Sequence, residues 1–341
     1  MPLVVIPSEI TNFGAITLAE AQSARFYTDS TLVTEVAREV VSADELHFKS
    51  TVTSSSEYWV DYDGIRADYA VGATYGRNAV WGDYEFVSHD GANTDSTGNH
   101  TTSKFGGVSG GAATSNIGAA TDFDGTNDYI TDGDIDVGKF TVSVWLNSDV
   151  WVQRATIITK SLDVGAGRNA PFWMNYNDGA DWDYFGTGIF TGSAWISVNT
   201  ASAPSTGTWH SFCTTKDASN LRLYWSGSEV DSTPIAADYL NDRNWSWGAA
   251  ANWGNTTFSF PFNGKIGETR IKSGALPPDW ITTEYNNQSD NGAFWVAEDV
   301  GPAPSGTFGL KLGSTTINKV MLGSTEIKKI YLGTTVIYEN L

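Results

Sequence analysis

The chain has 341 residues and a formal net charge of −19, from 20 basic and 39 acidic side chains. Phosphate backbones and anionic membranes repel such a surface, so nucleic-acid binding and membrane attachment are disfavoured. The 14 Trp, 14 Tyr and 16 Phe suit pleated sheets and the 35 Gly suit tight turns, which predicts an all-β protein. The single cysteine, Cys213, excludes an intrachain disulfide and a thiolate metal cluster, and we expect it to be buried and unreactive.

Neither a membrane span nor a secretory signal is expected. No apolar run approaches the roughly 20 residues that a membrane-spanning helix requires. The first segment has no basic residues and carries Pro7 after a short apolar run, unlike a signal peptide. We therefore expect synthesis in a cytoplasm without export by that route.

The first predicted unit is a small β domain over residues 1–80. The segment 58–62 alternates apolar with polar residues and ends at the turn pair Asp63-Gly64, a pattern typical of a strand and its turn. Few segments could be helices, and the best candidates are 17–24 and, much later, 277–285. This unit resembles the small β domain of unknown function that often precedes laminin-G-like domains in bacterial and phage proteins. The segments that carry the resemblance are 25–29, 37–40, 59–64 and 73–81.

The second predicted unit is a β-sandwich over 81–297, of which 81–120 is a connection rich in Gly, Ser and Thr. A linker between domains is the alternative for that connection. Further on, Phe140, Val142, Val144 and Leu146 alternate with polar or aromatic residues, which predicts a strand with one face in the core. An acidic turn precedes this strand.

Five segments, in order, resemble a laminin-G-like, concanavalin A-like sandwich. They are 122–130, 140–145, 207–212, 221–227 and 264–288. The resemblance implies the fold of the second unit. It does not choose a function, because that fold is shared by lectins, enzymes and scaffolds.

The C-terminal part is predicted to be a linker over 298–309 followed by a β-repeat tail over 310–341. A Leu-Gly pair recurs every ten residues, at Leu312, Leu322 and Leu332. Each repeat is a turn and a short strand with one apolar face, so it must dock onto other chains or a neighbouring domain. The repeats resemble the C-terminal tails of many tailed-bacteriophage tail and virion proteins.

Catalytic residues are not predicted. Sandwich glycanases place acids on one strand as Glu-x-Asp-x-x-Glu, and this spacing does not occur here. The acid pairs Glu57/Asp61 and Asp181/Asp183 are expected to be solvated. The four histidines, His47, His89, His100 and His210, form no recognisable motif.

A calcium site is the more plausible chemistry. The turn before the predicted core strand offers the hard oxygen ligands of Asp124, Asn127 and Asp128. Related sandwiches often bind calcium near this edge, but Gly267 replaces an Asp of the family's closing strand. Asx-turn capping is the alternative role for these side chains.

Glycan binding would use exposed aromatic side chains that stack on sugar rings. Two runs contain such residues beside Asn and Asp, and the alternative is that their aromatic side chains lie in the core or in a subunit interface. The candidate residues are Trp173, Tyr176, Trp182, Trp245, Trp247 and Trp253.

Together these features predict a structural protein of a bacteriophage virion: a tail fibre, a tail tip or another surface-exposed component. Its lectin-like sandwich would adhere to host-surface glycan or attach to the virion, and its repeats would contact other virion proteins, in a homo-oligomer. A capsid decoration or head-fibre protein is an alternative. A glycan depolymerase with an unrecognised site is the alternative from another class.

Overall fold

The computed structural model describes residues 1–160, 170–179, 182–235, 237–251, 258–299, 307–312, 320–322, 325–327, 329–332 and 335–339.

The first helix begins with a capping box, in which Thr17 Oγ1 accepts from the backbone N–H of Glu20 and the Glu20 carboxylate accepts from Thr17 N–H. The elements up to the sandwich are β1 (Pro2–Val5), a 3-10 helix (Pro7–Glu9), α1 (Leu18–Ser23), β2 (Arg25–Tyr27), β3 (Glu35–Val36), β4 (Arg38–Ser42), β5 (Glu45–Lys49), β6 (Glu57–Asp61), α2 (Arg77–Trp81) and β7 (Phe86–Ser88).

A β-sandwich follows. Its elements are β8 (Ser103–Phe105), β9 (Ser109–Thr114), β10 (Ala119–Asp124), β11 (Tyr129–Thr131), β12 (Phe140–Val150), β13 (Thr156–Lys160), β14 (Ala170–Gly179), β15 (Trp182–Phe190), β16 (Trp195–Asn199), β17 (His210–Lys216), β18 (Asn220–Trp225), β19 (Ser228–Pro234), β20 (Trp245–Trp247), β21 (Ala250–Ala251), β22 (Phe258–Ser259), β23 (Asn263–Ser273), α3 (Pro278–Ser289) and α4 (Asn291–Phe294). An eight-stranded sheet has the order β19-β18-β17-β12-β23-β10-β9, with β7 also on β23. The facing seven-stranded sheet has the order β16-β15-β14-β13-β20-β11-β8.

The all-β prediction and the concanavalin A-like sandwich are confirmed. The connection over 81–120 belongs to the sandwich rather than to a linker, because β7 pairs with β23 and β8 and β9 extend the two sheets. Among the described residues, no helix has the length and apolar character that crossing a bilayer requires.

Strand β12 was predicted to expose one face, and the structure covers both. Phe140, Val142, Val144 and Leu146 lie in the core between the sheets, as expected from their alternation. On the other face, α3 packs against the strand, where Trp145 stacks on Tyr285 with ring centroids 5.9 Å apart. Trp145 is therefore buried as well.

The C-terminal strands correct the predicted domain boundaries. The elements are β24 (Trp295–Asp299), β25 (Thr307–Leu312), β26 (Val320–Leu322), β27 (Thr325–Ile327), β28 (Lys329–Leu332) and β29 (Thr335–Glu339). Strands β24 and β25 extend a sheet of the first domain, whose order is β24-β25-β6-β2-β3. Both ends of the predicted 298–309 linker are therefore strand, and the first domain is completed by residues far along the chain.

Helix α3 joins the first domain to the sandwich. Strand β1 is an edge strand, and the Asn287 amide accepts from the Val4 N–H at 2.7 Å and donates to the Val4 carbonyl at 2.8 Å. Asn291 accepts from the Ile6 N–H at 2.8 Å. These contacts satisfy backbone groups that an edge strand otherwise leaves unpaired.

Candidate functional site

One row of residues on the outer face of the seven-stranded sheet is polar or small, apart from a single tryptophan. In register across the sheet lie Ser197, Gly188, Trp173, Thr159 and Ser246. Side chains alternate between the two faces of a strand, so the neighbouring residues of the same strands point into the core. This row therefore presents one aromatic residue among small ones, and most of it is buried: Ser246 is 0 %, Thr159 6 % and Trp173 9 % exposed.

Trp195 dominates the exposed edge of this face. It is 56 % exposed, which makes it the most exposed tryptophan among the described residues. Its ring meets Trp173 edge-on at a centroid distance of 5.4 Å and lies 4.7 Å from the ring of Phe190. A Cβ at Gly188 would lie only 2.9 Å from Trp173 Cζ2, so the glycine allows the indole to lie flat on the sheet. Trp195 is thus an aromatic surface held in place by two other rings.

Amide side chains line the next row of the same face. Asn175, Gly186 and Asn199 are in register, and Asn177 donates to the Asn175 side-chain oxygen at 3.3 Å. A Cβ at Gly186 would lie 2.3 Å from Asn199 Oδ1, so the amide of Asn199 rests over this glycine. Amides both donate and accept hydrogen bonds, as recognition of sugar hydroxyls requires.

The structure places the predicted glycan residues in different environments. Trp173 lies on the outer face, at 9 % exposure beneath Trp195. Tyr176 points inward, stacks on Trp151 at 4.9 Å and donates its hydroxyl to Asp183 at 2.5 Å. The side chain of Trp182 and all of Trp253 lie outside the described residues.

The prediction that Trp245 and Trp247 stack on a glycan is corrected. Both are 0 % exposed and belong to the core cluster between the sheets. Their strand β20 lies in the middle of the sheet, and residues two apart on a strand share a face, so both indoles point inward. Sequence reasoning missed Trp195. The sequence signal for Trp195 was the pair of aromatic residues Phe190 and Trp195. They flank the short turn that joins β15 to β16.

The acidic turn before β12 has the geometry of an Asx turn. Asp124 Oδ1 accepts from the backbone N–H of Thr126 at 2.7 Å and of Asn127 at 3.2 Å. Asp128 Oδ2 accepts from the Asp124 N–H at 3.2 Å, and burial raises the pKa of the Asp128 carboxyl. Both carboxylates therefore already accept hydrogen bonds from backbone N–H groups. Calcium binding by Asp124, Asn127 and Asp128 stays a prediction.

Gly267 leaves room for the Ser115 side chain. A Cβ at Gly267 would lie 2.2 Å from Ser115 Oγ, so an aspartate there would require that hydroxyl to move. Of the acid pairs considered for catalysis, Asp61 is ion-paired with Arg66 at 2.9 Å and Asp183 accepts from Tyr176. Asp181 lies outside the described residues.

A second site, which the sequence did not reveal, lies between the first domain and the sandwich. We call it the interdomain cluster. The cluster consists of Glu39, Glu45, His47, His89 and Glu268. The His47 and His89 rings stack with centroids 4.3 Å apart. His89 Nδ1 lies 2.7 Å from Glu268 Oε2 and 3.5 Å from Glu45 Oε1, and its Nε2 lies 3.0 Å from Glu39 Oε2.

The interdomain cluster is almost fully buried, so its electrostatics are strong. Burial by itself lowers the pKa of His89, but attraction by Glu268 and Glu39 outweighs burial and raises it well above 6.5. Burial and the charge of His89 lower the pKa of His47. Burial raises and His89 lowers the pKa of Glu39, and the net shift is downward.

Residues 124–282 match the sequence profile of the concanavalin A-like lectin/glucanases superfamily. A search of curated proteins finds no match. Among solved structures, similar ones include domain 4 of AbnA, a GH43 extracellular arabinanase from Geobacillus stearothermophilus, in complex with arabinotriose. That domain is 23 % identical, with a TM-score of 0.47, over 59 % of this chain and 97 % of that chain.

Two further similar structures come from other protein classes. The binding domain of botulinum neurotoxin DC, in complex with SialylT, is 13 % identical with a TM-score of 0.46, over 64 % of this chain and 53 % of that chain. The heptameric SAP-like pentraxin from Limulus polyphemus is 14 % identical with a TM-score of 0.33, over 43 % of this chain and 69 % of that chain. The chain thus spans about half the length of the toxin domain it matches. The chain thus resembles the concanavalin A-like lectin/glucanases superfamily over residues 124–282, and its two packed sheets have that sandwich fold.

Proposed function

We propose that the sandwich binds a glycan on the outer face of its seven-stranded sheet, without cleaving it. The observation that carries the proposal is Trp195, 56 % exposed beside two rows of small and amide-bearing residues. An exposed indole stacks on the apolar face of a sugar ring, and amides hydrogen-bond to its hydroxyls. The matching superfamily of lectins and glucanases supports contact with a glycan, and the choice of binding over cleavage rests on the absence of the Glu-x-Asp-x-x-Glu spacing from the sequence.

The charge of the protein points to the class of glycan. A net charge of −19 repels polyanionic sugars at long range. Close to the site, Asp231 accepts from the Asn199 N–H at 2.9 Å. We therefore expect neutral glycans to bind more tightly than sulfated or uronic-acid-rich ones.

The proposed setting is a bacteriophage virion, as a tail fibre, tail tip or other surface-exposed component. The ten-residue repeats support this setting, and so does the pairing of the first domain with the sandwich. Within the tail, β26 pairs with β27 and β28 pairs with β29, each as a two-stranded hairpin. Such hairpins are marginally stable alone, so we expect them to dock on other virion proteins or on further copies of the chain.

Glycan binding is tested by a glycan-array screen of the full chain, followed by titration of the best neutral glycan. Trp195→Ala should reduce affinity at least about tenfold, the loss of ~1.4 kcal/mol expected for a stacked aromatic. Phe105→Ala is the matched control, because Phe105 is an exposed aromatic at the opposite edge of the same sheet. Unchanged affinity in Trp195→Ala, or a loss confined to Phe105→Ala, would contradict the assignment.

Two further measurements separate the alternatives. Release of new reducing ends from host polysaccharide would overturn the non-catalytic proposal and support a depolymerase. Immunogold labelling of purified particles should place the protein on the tail. Label on the capsid would favour a decoration or head-fibre protein, and absence from particles would contradict the virion setting.

A further inference from the structure

We propose that the interdomain cluster is a binding site for a divalent transition-metal ion such as Zn²⁺, with Glu45, His47, His89 and Glu268 as ligands. Each of the four offers one ligand atom, and these atoms all lie within 4.8 Å of one another. All four residues are at most 4 % exposed. The site is separate from the proposed glycan face, because it lies where the first domain meets β23 of the eight-stranded sheet.

The donor set suits zinc better than calcium or magnesium. Two imidazole nitrogens and two carboxylate oxygens match the ligands of four-coordinate zinc, whereas calcium and magnesium prefer oxygen alone. Tetrahedral zinc, with bonds of about 2.0 Å, separates its ligand atoms by about 3.3 Å. The present separations are 2.9 Å from His47 Nε2 to Glu45 Oε1, 3.5 Å from His89 Nδ1 to Glu45 Oε1 and 2.7 Å from His89 Nδ1 to Glu268 Oε2. These three separations lie within about 0.6 Å of the tetrahedral spacing. The other pairs are at most 4.8 Å apart, so binding would draw the four ligand atoms closer together.

A surrounding layer of hydrogen bonds orients the ligands. His89 donates from Nε2 to Glu39 at 3.0 Å, which leaves Nδ1 directed at Glu45 and Glu268. Glu39 is itself held by the Ser96 hydroxyl at 2.8 Å and by the Trp81 indole N–H. Metal-binding histidines commonly donate their second nitrogen to a carboxylate in this way.

Glu268 is oriented in the same manner. Arg270 Nε donates to Glu268 Oε1 at 2.7 Å, so Oε2 remains directed at His89. The Arg270 guanidinium is fixed in turn by Glu284, at 3.1 Å, and by the ring of Trp81, 4.9 Å away. The orienting contacts therefore come from both domains and from α3.

One polar atom of the cluster has no partner in the described part of the chain. His47 Nδ1 is buried and makes no hydrogen bond to any described residue.

The ion would join parts of the chain that are distant in sequence. Glu45 and His47 lie on β5 of the first domain, His89 follows β7, and Glu268 lies on β23. Because the site is closed to solvent, the ion would enter as the two domains fold together. Its binding energy would then contribute to the stability of the whole chain.

The proposal is tested by metal analysis of the full chain, refolded from denaturant with Zn²⁺ or Co²⁺ and freed of loose metal by gel filtration in chelator. We expect one ion per chain, the visible absorption of four-coordinate Co²⁺, and a higher unfolding temperature than for protein refolded without metal. His47→Gln should abolish all three. The control is His210→Gln, since His210 is a buried histidine elsewhere in the sandwich, and this variant should keep them.

Two outcomes would overturn the proposal. The first is folded wild-type protein that retains no stoichiometric Zn²⁺, Co²⁺, Ni²⁺ or Mn²⁺, which would leave the cluster as an ion-pair network around a protonated His89. The second is equal metal retention in His47→Gln and the wild type. If His47→Gln does not fold, Glu45→Gln replaces it, and the metal content of the wild type decides independently.

Discussion

At the scale of single residues, Cys213 shows how burial controls reactivity. Its side chain packs with Tyr224 and Ile281, and burial, followed by the nearby Glu284, raises the thiol pKa well above 9.0. Little thiolate, the reactive form, is therefore present at pH 8. We expect Cys213 to resist a disulfide-exchange reagent in the native protein and to react fully after denaturation. Reaction of the native protein at the rate of a free thiol would contradict this account.

Lys160 explains the acidic residues that precede β12. Its side chain is 1 % exposed, and its ammonium donates to Asp134, to Asp136 at 2.6 Å and to the Ile135 carbonyl at 3.0 Å. Asp134 and Asp136 thus neutralise a buried cation in the structure. Their function is structural, and only the position of Lys160 in the fold reveals it.

Removing the two sides of this ion pair should have unequal effects. Lys160→Met leaves Asp134 and Asp136 able to hydrate, because both are partly exposed, and we expect a loss of about 1 kcal/mol. The double variant Asp134→Asn/Asp136→Asn strands a buried ammonium and should cost about 3 kcal/mol. Urea unfolding of both variants at pH 7 measures the difference. Equal destabilisation would contradict this interpretation.

At the scale of secondary-structure elements, the turn after β20 depends on a glycine. Gly248 has a φ of +81°, and a Cβ there would lie 2.2 Å from Cδ1 of Phe123 on β10. Gly207 also has a positive φ, +70°, but nothing lies within 4 Å of its Cβ position. Substitution at Gly248 would cause both steric overlap and the strain of a positive φ, whereas substitution at Gly207 would cause the strain alone. Comparing the two therefore isolates the cost of the overlap.

We expect Gly248→Ala to destabilise the sandwich more than Gly207→Ala. The control variant has only the strain of a positive φ, about 1 kcal/mol. Gly248→Ala adds overpacking of Phe123, for a total of about 2 to 4 kcal/mol. Thermal and urea unfolding of the two variants provide the comparison, and equal loss of stability would show that the core adjusts around Phe123.

Local sequence patterns predicted where strands and helices form, but not which elements pack against each other. The alternation of Phe140, Val142, Val144 and Leu146 indicated a strand, and the structure confirms it. The helices expected over 17–24 and 277–285 appear as α1 and α3. What alternation cannot predict is the burial of Trp145, because α3 covers it from more than a hundred residues away. For the same reason, the sequence could not show that Trp245 and Trp247 point into the core.

At the scale of the whole molecule, the first domain is closed by the C-terminal part of the chain. Strand β25 lies between β24 and β6, where Phe308 pairs with Val60 and with Asp299. Removing it would leave two strand edges without partners. We expect a chain truncated to residues 1–312 to unfold at the same temperature as the full chain, and one truncated to 1–299 to unfold at a lower temperature. Equal unfolding temperatures would contradict a structural role for β25.

The interdomain cluster is likewise a property of the whole molecule. The separation of His47 and His89 in the sequence matches no metal-binding motif. Glu268 follows His89 by 179 residues. Only the packing of the first domain on β23 brings them together. Of the proposed glycan face, Trp173 was singled out in the sequence from its aromatic and amide neighbours. Trp195 was not, because exposure depends on which strand forms the edge of the sheet.

The central claim, that Trp195 and its neighbours bind a glycan, is tested most directly by a crystal structure of the full chain with the best-binding neutral glycan. We expect the face of one sugar ring to stack on the Trp195 indole at about 4 Å, with hydroxyls bonded to the amides of Asn175 or Asn199. A glycan bound elsewhere, for example at the turn of Asp124, with the Trp195 face unoccupied, would contradict the claim.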